Sequence, residues 1–250
     1  MAHPALLQTA HRPWPLPSRA WAMTMDWEDL LFLHWPVEAA AIRRLLPPGL
    51  ELETFDDAAW LGIVPFRMAR TRLRWFMPLP TAHHFPELNV RTYVRCGDRS
   101  GVWFVSLDAN SRLAVAGARA SFGLPYLNAK MQAERNGDEF RFASERTDRR
   151  APAARFVARW QVAGERAEVR PGTFEHFLCE RYCLFVGDRD GRVWRGDIAH
   201  EPWRVVKAEV GLEVCDMTRL LGIDLDGPPV SALSAADQTV AGWSLVRADG

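Results

Sequence analysis

Polar residues that alternate along the segment FPELNVRTYV form the clearest candidate site in this sequence. In an extended strand Glu87, Asn89, Arg91 and Tyr93 share one face, and apolar Leu88, Val90 and Val94 lie with Thr92 on the other. A carboxylate, an amide and a guanidinium on one face can hold a small polar ligand, and a desolvated carboxylate can also move a proton. The segment therefore predicts a binding wall with Glu87 as the candidate catalytic acid or base.

Two arrangements of this strand are consistent with the pattern. In the first, the polar face lies in water, as on many half-buried strands. In the second, the apolar face packs under helices while the polar face lines the interior of a barrel. The pattern alone does not separate the two.

The Ala-rich segment LAVAGARASF predicts a further strand. Ala114, Ala116, Ala118 and Ala120 would occupy one face, and Arg119 would emerge from the other. A buried arginine needs an anionic partner because an unpaired charge is costly to desolvate. We expect Arg119 to pair with Glu87 or with a ligand carboxylate.

Elements predicted along the rest of the chain indicate how these residues are positioned. Turn signals such as Asn110-Ser111 and Asn136-Gly137 separate short β-rich runs, which predicts a meander of antiparallel strands. Helical patterns are few: VEAAAIRRLL, TFEHFLCERY and the short MTRLLG. We therefore predict a mainly β (α+β) fold, a cone-shaped antiparallel β-barrel with a few covering helices.

The predicted domain organisation is simple. Residues 1–20 contain HRPWPLPSR, an extended proline-rich N-terminal arm that either lies in a groove of its own domain, as Trp14 and Leu16 favour, or is loose. Residues 21–250 form a single domain, and the polar stretch 144–155 is a long surface loop within it.

Composition narrows the function classes. The 31 basic and 31 acidic residues cancel, so we expect a small-molecule partner and no nucleic acid. No apolar run approaches the ~20 residues needed to cross a bilayer, and the low cysteine density favours a reducing cytoplasm. His176, Cys179 and Cys183 fall at helical spacing, but no second pair completes a zinc tetrahedron, so we assign no metal and no cofactor.

Titratable residues elsewhere are weaker candidates. His83 and His84 lie between prolines just before the Glu87 strand, where they could gate a barrel mouth. His34 falls on a predicted strand and is expected to be a hydrogen-bonded interior histidine. The only lysines are Lys130 and Lys207, which restricts any Schiff-base chemistry of a lysine side chain to these two positions.

Several segments taken together carry a family resemblance: HRPWPLP, LLPPGLELETFDDAAWLGIVPFRM, FPELNVRTYV, RLAVAGARASFGLPY and GRVWRGDI. They resemble the bacterial YqjF-like family, a domain of unknown function, over most of the chain. That family is distantly similar to acetoacetate decarboxylase, a cone-shaped β-barrel that forms a Schiff base through paired lysines. The resemblance implies the fold and, by analogy only, the chemistry.

The decarboxylase motif, Gly-Arg-Glu followed by Pro-Lys-Lys, is only partly present. When this motif is aligned on Pro125, Arg119 matches its arginine, whereas Tyr126 and Leu127 replace its two lysines. The resemblance places a pocket glutamate of the decarboxylase at Glu87, which favours the interior arrangement of that strand. It finds no equivalent of a second pocket arginine near His34.

The residues beyond this motif also differ from the family patterns. Lys130 lies four residues after Tyr126 and lacks the neighbouring lysine that would lower its pKa, so a Schiff-base role is not expected. Asn128 stands where the YqjF-like family often has histidine.

The function predicted from the sequence is therefore a small-molecule-binding barrel. Asn89, Arg91, Arg119, Tyr126 and Asn128 would bind a small polar or carboxylate-bearing compound, with Glu87 supporting cofactor-independent lyase, hydratase or isomerase chemistry. The alternatives are a non-catalytic ligand-binding barrel and an interaction protein that assembles as a homo-oligomer. The 11 tryptophans and the N-terminal arm favour the last of these.

Overall fold

A computed structural model describes residues 3–74, 83–188 and 190–248, without the side chains of residues 121 and 122. The described residues form sixteen strands in one continuous sheet. The strands are β1 Met23–Glu28, β2 Leu31–Val37, β3 Glu51–Leu52, β4 Ala59–Leu73, β5 Phe85–Cys96, β6 Arg99–Ala109, β7 Tyr126–Asn136, β8 Glu139–Arg146, β9 Arg155–Val162, β10 Ala167–Glu168, β11 Cys183–Gly187, β12 Val193–Ala199, β13 Arg204–Cys215, β14 Ser231–Ala235, β15 Gln238–Gly242 and β16 Val246–Arg247.

Helices are short and few within the described residues. The α-helices are α1 Ala39–Arg43, α2 Arg112–Phe122 and α3 Phe174–Cys179, and 3₁₀ turns cover Pro4–Leu6 and Met217–Leu221. Three of these segments lie where the sequence predicts helix. The mainly β fold is thereby confirmed.

The sheet closes on itself because β4 pairs with strands on both sides. One closed circuit of paired strands runs from β1 through β15, β12, β11, β6, β5 and β4 and back to β1. A second circuit runs from β6 through β7, β8, β9, β13, β14, β2, β4 and β5, so that β4, β5 and β6 belong to both. Most pairs are antiparallel as predicted, but β6 pairs in parallel with β7 and with β11.

Strand β5 is buried on both faces because it belongs to both circuits. Tyr93 packs in one apolar cluster with Phe32 and Phe66, whereas Leu88 and Val90 pack in a second cluster. The alternation predicted from the sequence is thus correct. The expectation that the apolar face packs under helices is wrong in its main part, since strands supply most of the second cluster.

The predicted strand LAVAGARASF is wrong, because the segment is helix α2. Ser111 caps its first turn by accepting a hydrogen bond from the Ala114 amide, and Gly123 ends it in the left-handed conformation at φ 60°. Alanine has the highest helix propensity, so a run of alternating alanines fits a helix better than a strand. Arg119 therefore lies in the last turn of α2.

The N-terminal arm packs against the sheet along its length. Trp14 is 8% exposed and clusters with Val94 and Tyr182. Arg12 donates to the Ile198 carbonyl at 2.7 Å, and Arg19 forms an ion pair with Asp197. Within the described residues, the helices are all too short or too polar to span a bilayer.

Candidate functional site

A cavity of about 150 Å³ opens inside the first circuit of strands beside Glu87. Its wall is almost wholly apolar. The polar side chains in the lining are Glu87, Asn89, Tyr126 and Asp197. The apolar ones include Met23, Met25, Met68, Trp27, Phe66 and Phe104.

Glu87 and Tyr126 make the central contact of this cavity. They reach it from β5 and β7, which both neighbour β6. The Tyr126 hydroxyl donates to Glu87 Oε2 at 3.0 Å, and the Glu87 side chain is essentially inaccessible to water, since the residue is 1% exposed.

Burial governs the protonation of this pair. Desolvation raises the pKa of Glu87 to about 8; hydrogen bonds from Tyr126 and Asn89 oppose the rise, and the charge of Asp108 adds to it. The pKa of Tyr126 is raised well above its ordinary value by desolvation and by Glu87. Both groups are therefore mostly protonated at pH 7, and Glu87 has a pKa suited to proton transfer near neutrality.

Asn89 lines both this cavity and an adjacent one of about 80 Å³. The two cavities share the side chains of Trp27, Phe66, Asn89, Phe104, Leu184 and Ile198. The second is lined in addition by Arg91, Arg181, His200 and Cys179. We call the two together the chamber.

A buried histidine–tyrosine pair lies behind the Arg91 end of the chamber. Tyr93 donates its only hydroxyl proton to the Leu178 carbonyl at 3.0 Å, so His34 Nε2, at 2.6 Å, donates to the tyrosine oxygen. Desolvation, with the charge of Arg91 adding to it, holds the pKa of His34 well below its ordinary value. The expectation of a hydrogen-bonded interior histidine agrees with this contact at Nε2, whereas Nδ1 is buried without a hydrogen-bond partner among the described residues.

Two of the predicted binding residues lie in a different cluster. Arg119 forms an ion pair with Asp148 at 2.7 Å, and its Nε donates to the Tyr126 carbonyl at 2.7 Å. Asn128 donates to the same carboxylate through its amide side chain at 3.1 Å and its backbone N–H at 3.0 Å. The expectation that Arg119 pairs with Glu87 is wrong, because helix α2 directs it to Asp148.

That cluster holds Tyr126 rather than lining the chamber. Neither Arg119 nor Asn128 is among the described side chains that line either cavity. The guanidinium clamps the backbone of Tyr126, whose hydroxyl then reaches Glu87.

The remaining candidates also lie outside the lining. His83 contacts the Thr71 carbonyl at 3.5 Å and the His84 ring edge to face, and neither ring is among the described groups of the cavity walls. Lys130 is exposed on β7 opposite Glu145. Among the described residues, no three His, Cys, Asp or Glu side chains converge as metal ligands would.

A fully buried ion pair behind Glu87 was not anticipated from the sequence. Arg146 binds both oxygens of Asp108, at 2.8 and 2.9 Å, and both side chains are 0% exposed. A signal for it exists: Arg146 continues the buried alternation of Phe140, Phe142 and Ser144 along β8. An arginine in phase with buried residues requires a buried carboxylate.

Relatives by sequence place the chain in a family. Residues 24–239 match the model of DUF2071, a family of uncharacterised conserved proteins. The uncharacterised protein YqjF of Bacillus subtilis (strain 168) is 37% identical over 230 residues, which cover 92% of this chain and 94% of that protein. The resemblance predicted from the sequence is confirmed.

Solved structures with the same architecture are enzymes of low sequence identity. Acetoacetate decarboxylase from Legionella pneumophila has a TM-score of 0.60 and 15% identity, over 95% of this chain and 93% of that chain. The enduracididine biosynthesis enzyme MppR, complexed with pyruvate, has a TM-score of 0.60 and 13% identity over the same shares. At such identities the likeness establishes the fold only.

Proposed function

This chain belongs to the DUF2071 family of uncharacterised conserved proteins, and on that premise we propose that it binds a small organic molecule in the chamber and transfers a proton on it through Glu87. The observation that carries the proposal is the 3.0 Å contact between the Tyr126 hydroxyl and the buried Glu87 carboxyl, on the wall of an apolar cavity.

The chemistry follows from the two protonation states of Glu87. With a pKa of about 8, the neutral carboxyl donates a proton to a ligand atom, and the carboxylate that remains takes a proton back from another position. The Tyr126 hydroxyl stabilises the carboxylate by donating to Oε2. Such exchange of one proton supports isomerase, hydratase or lyase reactions that need no cofactor.

Schiff-base chemistry has little support in this chamber. Tyr126 occupies the position where the decarboxylase motif carries its first lysine, and its phenol is hydrogen-bonded to Glu87. Lys130 points away from the interior, because β7 is extended and residue 130 is exposed. Imine formation requires a neutral amine in an apolar site, and the exposed Lys130 side chain does not provide one.

The size of the chamber supports a small ligand. Cavities of about 150 and 80 Å³ fall below the roughly 300–1,000 Å³ of typical drug-sized pockets. MppR, with the same fold, is complexed with pyruvate, which is a molecule of suitable size. A small carbonyl compound or carboxylic acid fits this space, whereas a nucleotide does not.

Proton exchange into small ketones and keto acids tests the proposal. In D₂O, the protein should speed the loss of α-proton NMR signals from at least one member of a panel, and Glu87→Gln should reduce that rate by ~10²-fold or more. Glu134→Gln, on the exposed surface of β7, is the matched control and should behave as wild type.

The outcomes separate the competing functions. Ligand-dependent thermal shifts without any Glu87-dependent exchange would favour a non-catalytic binding protein. If neither exchange nor a thermal shift occurs across the panel, while size-exclusion shows a stable oligomer, the interaction function is favoured instead.

A further inference from the structure

Arg91 places a positive charge without a matching carboxylate at one end of the chamber. Its Nη2 donates to the Leu178 carbonyl at 2.8 Å and lies 3.5 Å from the Tyr93 hydroxyl, while its Nε is buried without a hydrogen-bond partner among the residues that the structure describes. Among the ion pairs of the described residues, none involves Arg91, which lies beside the ring faces of Phe32 and Tyr93.

The other ionisable groups at this end do not balance that charge. Arg181 is already neutralised by its ion pair with Glu53. Desolvation raises the pKa values of Cys179 and Cys183 to about 12 and lowers the pKa of His200 to about 4, so all three are uncharged at pH 7. The Arg91 end of the chamber therefore has a net positive charge that an anion would complete.

The opposite end differs in charge and in polarity. Asp197 in that wall is paired with Arg19 and Arg195 at 3.2 Å each, and Glu87 is mostly protonated at pH 7. A second carboxylate is not stabilised there. A carbonyl or hydroxyl oxygen, which can accept a hydrogen bond from Glu87, fits better.

Strand geometry sets the separation of the two ends. Glu87 and Arg91 are four residues apart on one face of β5, so their Cα atoms lie roughly 13 Å apart at about 3.3 Å per residue. Asn89 stands between them in both cavities, and the shared wall consists otherwise of Trp27, Phe66, Phe104, Leu184 and Ile198. Apart from the Asn89 amide and the Trp27 indole N–H, whose Oδ1 and Nε1 are buried without a hydrogen-bond partner among the described residues, the middle of the chamber is apolar.

We infer that the ligand is an oxo or hydroxy monocarboxylate whose carboxylate binds Arg91 and whose second oxygen, separated by an apolar carbon segment, lies at Glu87. Acids whose two groups are on adjacent or next-adjacent carbons are too short to reach both ends. This inference rests on the proposed function for the reacting end, and it adds the anchor and the spacing.

Binding of an oxo-acid series tests the spacing. Calorimetric titration at pH 7 would compare pyruvate, acetoacetate, levulinate and 6-oxoheptanoate. The affinity should rise along this series, with 6-oxoheptanoate binding at least about tenfold more tightly than acetoacetate. Tightest binding by pyruvate or acetoacetate would overturn the inference.

Variants of Arg91 test the anchor with two half-ligands. Arg91→Met should weaken heptanoate at least about tenfold, the loss expected for a charge-assisted hydrogen-bonded pair, and should leave 2-heptanone within about twofold. Arg91→Lys, which keeps the charge, should recover part of the heptanoate affinity. Arg95→Met, at an exposed ion pair with Glu51 on the same strand, is the control and should bind both compounds as wild type.

The two proposals fail in different ways. Equal losses for heptanoate and 2-heptanone in Arg91→Met, with its melting curve unchanged, would refute the anchor while Glu87-dependent deuterium exchange still stands. Conversely, an Arg91-dependent affinity for carboxylates without Glu87-dependent exchange would support Arg91 as the anchor and refute the proposed proton transfer.

Discussion

Replacing Glu87 by glutamine should change how the stability of the protein depends on pH. The folded carboxyl has a pKa of about 8, against an ordinary value of 4.5. Between these values the folded state keeps a proton that the unfolded state has released, so the free energy of unfolding falls as pH rises. The shift of 3.5 units, at about 1.4 kcal/mol per unit, sets an upper bound on the order of 5 kcal/mol.

Buried histidines act in the opposite direction at lower pH. His34 and His200 have lowered pKa values in the folded protein, so their contribution to the free energy of unfolding rises with pH through the ordinary histidine value of about 6.5 and is complete only about one unit above it. These histidines are present in both wild type and Glu87→Gln, so the difference between the two proteins from about pH 6.5 to 8 isolates Glu87. Over these 1.5 units the wild type should lose roughly 2 kcal/mol relative to Glu87→Gln.

Urea denaturation at several pH values measures this loss. Glu87→Gln keeps an acceptor for the Tyr126 hydroxyl but does not titrate, so its unfolding free energy should lack the Glu87-dependent fall between about pH 6.5 and 8. Glu134→Gln, which removes an exposed carboxylate, should keep the wild-type pH dependence. The reasoning is refuted if the unfolding free energies of wild type and Glu87→Gln change in parallel over this interval.

Three further substitutions test the contacts around the site. Tyr126→Phe removes a hydrogen bond that lowers the pKa of Glu87, so a carboxyl titration should move to higher pH. Arg146→Met leaves Asp108 buried and unpaired and should cost about 3–5 kcal/mol in urea denaturation, most of it recovered when Asp108→Leu is added. Trp14→Ala should cost about 3 kcal/mol, because the arm buries this ring against Val94 and Tyr182.

Each of these three substitutions has an outcome that would contradict its prediction. A lower titration midpoint in Tyr126→Phe would mean that the hydroxyl does not donate to the carboxylate. If Arg146→Met is as stable as wild type, the buried pair is not formed. For Trp14, the control is Leu7→Ala at an exposed position, and equal stability of both variants would show that the arm is loose.

The fold was largely predictable, because strand signals are local. Alternation along β5 and turn residues such as Asn136-Gly137 depend on neighbouring positions and agree with the structure, whereas Asn110-Ser111 leads into helix α2 and not into a strand. Helix α2 was not predicted because alternating alanines satisfy a strand period, although Ser111 and Gly123 are residues typical of the two ends of a helix.

The site was only partly predictable, since it depends on contacts between distant strands. Glu87 and Tyr126 could be placed together through the resemblance, although 39 residues separate them. Asp108 and Arg146 come from strands that do not pair with each other. Such a contact requires the closed path of the sheet, which periodicity does not specify.

Titration of the Glu87 carboxyl itself is the most direct test of the central claim, that this group is a protonated acid inside the chamber at neutral pH. Infrared difference spectra of wild type minus Glu87→Gln, with ¹³C-labelled glutamate, would follow the protonated carboxyl band. The band should be present at pH 7 and disappear with a midpoint near the folded pKa of about 8. A midpoint near the ordinary value of 4.5 would contradict the account.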